Sequence, residues 1–174
     1  MLFFFCDAVS SLAIFAENEA EELLTFAMSR YRESTIFSTA CFDALVATAA
    51  AGNIRIVKEL MKVSMPEVEA LDQPILAAIE SGDADVFAEI IGAARKAPGR
   101  IQNFKVLLAR AASLGRTTAA EDLLGLMKAS GSSVGMSNGV SPLSYACQRG
   151  FVEMVDLLVR DTSAMASDGS YSYA

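Results

Sequence analysis

The sequence predicts an all-α fold, an α-solenoid of stacked helix pairs with about four to five units. Three observations predict it. Gly52, Gly82, Gly115 and Gly150 stand 30, 33 and 35 residues apart, each at the end of an apolar segment. After each of these glycines, apolar residues recur at one helical spacing: Ile56, Val57 and Leu60; Val86, Phe87 and Ile90; Ala119, Ala120 and Leu123; Met154, Val155 and Leu158. Before each glycine stands a small residue, Ala49, Ala78, Ala111 or Ala146, as close stacking of helices requires. A fixed period outranks any local motif, because in a stacked array each unit buries its apolar face only against its neighbours.

The units follow in order. Asp7-Ala8-Val9 opens the first, with Ala16 at its turn and Ala20, Leu23, Leu24 and Ala27 on the buried side of its second helix. Its outer face carries Glu17, Glu19, Glu21 and Glu22, read as the wettable end of a terminal unit rather than as an acidic docking site. The second first-helix begins at Asp43-Ala44-Leu45, the third at Gln73-Pro74-Ile75 and the fourth, a weaker copy, at Val106-Leu107-Leu108. Asp83 and Asp85 after Gly82 read as charge at a helix start. The fifth unit runs Ser141-Pro142-Leu143-Ser144-Tyr145-Ala146-Cys147-Gln148-Arg149-Gly150 and continues through Phe151 to Leu158. Ser141 suits a cap, Pro142 the first helical turn, and Gly150 the chain reversal between helices. Cys147 falls at a small, buried position and is expected to fill core. The expected units are about 5–37, 38–69, 70–100, 101–135 and 136–168, forming one domain over 1–168; residues 169–174 are a frayed tail or the start of a further repeat.

The segment from Ser141 to Leu158 resembles the ankyrin repeat, whose pattern runs Thr-Pro-Leu-His-x-Ala, then a turn Gly, then a helix with Val and a Leu pair. The resemblance extends over roughly residues 7–168. Ser144, Val46, Leu76 and Ala109 replace the family's His, so the hydrogen bond that braces each turn is expected to be missing. Only Gly139 keeps the hairpin glycine, while Cys41, Leu71 and Phe104 stand at the earlier counterparts, so poorly formed hairpin fingers, irregular loops or extended helices are expected there. The resemblance implies a non-catalytic protein–protein interaction module, of adaptor or inhibitor type, that binds a partner protein on its concave face. Contacts in that family come from hairpin tips and from first-helix positions before the turn Gly. Here these are Glu80 and Ser81, Ser113 and Leu114, and Gln148 and Arg149, with Lys105, Arg110, Asn138 and Tyr145 nearby. Tyr145 and Arg149 are the expected affinity determinants, since Tyr and Arg are enriched among interface hot spots. Ala166 to Tyr171 resembles the opening of another repeat, which supports an alternative: a regulatory segment of a larger signalling or channel protein.

Composition narrows the chemistry. The 174 residues are 53% hydrophobic and 20% charged, enough to bury a sizeable core without disulfides or metals. A net charge of −7 opposes general binding to phosphate backbones, so nucleic acid is not an expected partner. The absence of histidine removes Ser-His-Asp and Cys-His hydrolases and every His-containing zinc site. Cys6, Cys41 and Cys147 are far apart and odd in number, which reads as free thiols in a reducing compartment; no role follows for Cys6 or Cys41.

The apolar start has no basic residues and is cut short by Asp7, and no run of about 18 apolar residues follows. A monomer in the cytoplasm or nucleus, without membrane insertion, is the expectation. Gly131-Ser132-Ser133-Val134-Gly135 matches a nucleophile-elbow pattern, but neither a preceding buried strand nor a histidine accompanies it, so a connector is favoured over a small serine hydrolase. No phosphate loop, dinucleotide fingerprint or calcium loop is present, and no cofactor is expected. Arg95, Lys96, Arg100, Lys105, Arg110 and Arg116 occupy a stretch without acids. They are read as a solvated face in preference to a docking patch for an acidic or phosphorylated segment, because they fall on different elements.

Overall fold

The computed structural model describes residues 35–62, 70–96, 99–131 and 141–167. Every regular element among them is an α-helix, as the period requires: α1 Thr35–Ala51, α2 Ile54–Lys62, α3 Asp72–Ser81, α4 Ala84–Lys96, α5 Phe104–Leu114, α6 Thr117–Ala129, α7 Pro142–Arg149 and α8 Val152–Ser167. The chain divides into two compact units, residues 1–100 and 101–174.

In the first unit α1 pairs with α2 and α3 with α4, and the pairs stack so that α1 meets α3 and α2 meets α4. Leu45, Ile56, Leu60, Leu71, Ile75, Ile79, Ile90 and Ile91 are fully buried. Removing such a side chain from water stabilises the fold by about 1.5–3 kcal/mol. Thr48, buried among them, donates its hydroxyl to the carbonyl of Ala44 at 2.8 Å, so its polar atom is satisfied within its own helix. The second unit repeats the plan, with α5 on α6, α7 on α8, α5 against α7 and α6 against α8. Leu107, Leu108, Leu123, Met127, Met154 and Leu158 form its core. All four small residues, Ala49, Ala78, Ala111 and Ala146, are buried as expected. So are the recurring second-helix positions, except Val155, which is half-buried.

The two helices of each pair are joined by a glycine with positive φ: 72° at Gly52, 78° at Gly82, 67° at Gly115 and 73° at Gly150. This left-handed conformation ends the first helix and is strained for a residue with a Cβ. Side chains then start several helices. Asp83 Oδ1 accepts from the backbone N–H groups of Asp85 and Val86, both at 3.0 Å, and begins α4. Ser141 Oγ accepts from the N–H of Ser144 at 3.1 Å and caps α7, with Pro142 in the first turn. The hydroxyls of Ser141 and Ser144 lie 2.9 Å apart. A brace at this turn is therefore present in a different form, correcting the expectation that it is missing from the last pair.

Departures from hairpin glycine have visible consequences. Cys41 lies inside α1, which runs on for 17 residues where a finger would turn, and Cys41 is a buried free thiol. Leu71 precedes α3 and donates its N–H to the carbonyl of Arg100 at 2.7 Å, tying the entry of α3 to the segment after α4. Phe104 opens α5.

Cys147 requires a correction: it is exposed, not core filler. Counted back from the turn glycine, its equivalents are Ala49, Ile79 and Ala112, all buried. In α7 no described helix covers this position. The first expected unit, with Asp7 to Ala27 and its glutamates, lies outside the described residues, as do Cys6, Ser132 to Gly135, Asn138, Gly139 and residues 168–174.

Candidate functional site

The second unit brings most of the expected contact residues onto two neighbouring helices. Because α5 packs against α7 and both end at a left-handed glycine, their last turns carry matching positions. Shifted by the 35 residues that separate Gly115 from Gly150, Arg110 corresponds to Tyr145, Ser113 to Gln148 and Leu114 to Arg149. Arg110, Gln148 and Arg149 are exposed; Tyr145, Ser113 and Leu114 are half-buried. The hydroxyl of Ser113 donates to the carbonyl of Arg110 at 2.8 Å, which turns it toward its own helix. Lys105 is exposed at the opposite end of α5.

Glu80 and Ser81 lie on α3 in the first unit, and Glu80 is exposed. Ser81 is already engaged: its hydroxyl donates to the carbonyl of Ala78 at 3.0 Å and accepts from the N–H of Asp83 at 3.3 Å. It closes the turn between α3 and α4, a structural task that competes with contact to a partner. Asn138 is outside the described residues.

Two exposed side chains near these positions escaped sequence reasoning. Cys147 stands in the same turn as Gln148 and Arg149, and Val106 follows Lys105 on α5 with 44% of its surface exposed. Only the position of Cys147 in the last pair signalled its exposure, and an internal-repeat template assigns it the buried environment of its equivalents. Val106 gave no signal, since an apolar residue beside Leu107 and Leu108 reads as core.

The acid-free stretch does spread over several elements. Arg95 and Lys96 are exposed at the end of α4, Arg100 and Arg116 are half-buried in connectors, and Lys105 and Arg110 are exposed on α5. Among the described residues no three cysteine or carboxylate side chains converge as metal ligands, and no helix is long and apolar enough to cross a membrane. What the ends of α5 and α7 offer is contact chemistry: an amphipathic ring at Tyr145, guanidinium groups at Arg110 and Arg149, and an amide at Gln148.

Residues 138–168, which contain α7 and α8, match the family model for the ankyrin repeat. The chain thus carries an ankyrin repeat over its last helix pair. No curated protein matches the chain.

Proposed function

We propose that this chain is a non-catalytic, intracellular interaction module, monomeric on its own, that binds a partner protein through the turn-side ends of its first helices. Ankyrin repeats are protein-binding elements, and the observation that supports this reading is the packing of α5 against α7, whose last turns carry Arg110 and Leu114 at positions equivalent to Tyr145 and Arg149. A half-buried Tyr flanked by exposed Arg provides a rigid contact surface with little side-chain entropy to lose, the composition typical of interface hot spots. Glu80, Gln148 and Lys105 would add polar contacts at its rim, and an adaptor or an inhibitor would both use such a surface.

The test is affinity capture by the full chain compared with Tyr145→Ala and Arg149→Ala, followed by titration of each captured partner. Loss of a hot-spot side chain costs about 2 kcal/mol or more, so affinity should drop about thirtyfold or more in one variant. Partners captured equally by both variants would show that binding occurs elsewhere.

A further inference from the structure

The second helices of the first unit carry a basic depression on a different surface from the one just described. On α2, Arg55, Lys58, Glu59 and Lys62 recur at helical spacing and are exposed, opposite the buried Ile56, Val57 and Leu60. Between α2 and α4 lies an open depression of about 560 Å3, lined by Arg55, Lys58, Glu59, Met61 and Lys62 from α2 and by Glu89 and Lys96 from α4. Lys62 pairs with Glu59 at 2.6 Å. Lys58 and Lys96 form no ion pair among the described residues. Four cations against two carboxylates leave the depression positive in a chain whose net charge is −7. The half-buried Met61 supplies an apolar, adaptable contact.

The α4 side carries Gly92. It stands three residues after Glu89 and four before Lys96, hence on the same helical face, and a Cβ built there meets nothing within 4 Å. Glycine is a poor former of helix interiors, and the open space around Gly92 gives no packing reason for it.

From this geometry we propose that the depression binds an acidic peptide segment in polyproline II form, lying along α2 with carboxylates three residues apart on one face. The spacing follows from the helix: Arg55 to Lys62 rises about 10 Å at 1.5 Å per residue, close to one three-residue turn of polyproline II at about 3.1 Å per residue, which returns side chains to the same face. A single phosphate group is too short to engage both ends of this row. A nucleic-acid backbone gains affinity with each phosphate neutralised, and four cations interspersed with Glu59 and Glu89 supply few such contacts.

The test is fluorescence anisotropy with the full chain and a labelled peptide carrying glutamate at every third position. A peptide with glutamine in those places serves as control. The acidic peptide should bind and weaken several-fold as sodium chloride is raised, because exposed charges are screened over about 10 Å at 0.1 M. The double variant K58E/K96E should weaken binding about tenfold or more. Gly92→Glu should do the same while leaving the far-UV circular dichroism intact and the urea midpoint equal or higher, since glutamate is the better helix former. Tyr145→Ala and Arg149→Ala should leave peptide affinity unchanged, so failure here is separable from failure of the partner surface on α5 and α7. Absence of binding, equal binding of the glutamine peptide, or wild-type affinity in Gly92→Glu would each overturn the proposal. Displacement by inorganic phosphate or a single-stranded oligonucleotide at lower concentration than by unlabelled acidic peptide would also overturn it, and would assign the depression to phosphate groups.

Discussion

Gly115 and Gly125 show how differently one residue type behaves at two places in the second unit. Gly115 has φ 67°, and a Cβ there would stand 3.0 Å from the ring of Phe151, closer than such atoms normally approach. The glycine lets the turn form and also makes room for the aromatic ring that leads into α8. Gly125 sits in the exposed middle of α6 with nothing within 4 Å of its Cβ position. Gly115→Ala should therefore lose about 1–3 kcal/mol of stability, whereas Gly125→Ala should gain up to about 1 kcal/mol through helix propensity. Urea titration of both variants measures the contrast; a neutral Gly115→Ala would mean that Phe151 moves aside and the turn tolerates a Cβ. Cys147 makes a related point: its side chain is small like its buried equivalents, and position within the array decides its exposure.

At the scale of the element, these helices are too short to persist by propensity. An isolated helix below about 12–15 residues is marginal in water, and α2, α3 and α7 have 9, 10 and 8 residues. Packing and termini must hold them. α7 depends most on its start, because only Pro142 and Ala146 of its side chains are buried. Ser141→Ala should cost about 1 kcal/mol and raise amide hydrogen exchange across Pro142–Arg149 before other helices respond. Asp83→Ala should cost a similar amount at α4, with its effect centred on Ala84–Lys96, and Asp83→Asn should restore most of it. Unchanged exchange in α7 after Ser141→Ala would show that the packing against α5 and α8 suffices. The ion pair between Lys128 of α6 and Asp161 of α8 joins second helices of adjacent pairs, and Asp161 is largely covered, unlike the exposed pair of Arg160 with Asp156 within α8.

At the scale of the molecule, each unit has its own apolar core. Leu45→Ala in the first and Leu123→Ala in the second should each cost about 2–5 kcal/mol. Hydrogen exchange should rise first within α1–α4 for the former and within α5–α8 for the latter, and uniform loss of protection in both variants would contradict separate cores. The helix pairs, their turn glycines and nearly all the core positions were legible in the sequence, because period, turn chemistry and apolar spacing act through neighbours a few residues or one repeat apart. The placement of the candidate contact residues at the ends of α5 and α7 was legible for the same reason: their positions are counted from the turn. The sequence alone could also exclude histidine-dependent chemistry, since that follows from composition. Tertiary structure alone decided which repeated positions remain uncovered, as at Cys147, and which side chains are diverted into the fold, as at Ser81. It alone brought Lys96 of α4 beside Arg55, Lys58 and Lys62 of α2. Exposure and charge density are properties of the space between helices, and no local pattern encodes what stands on the other side of that space.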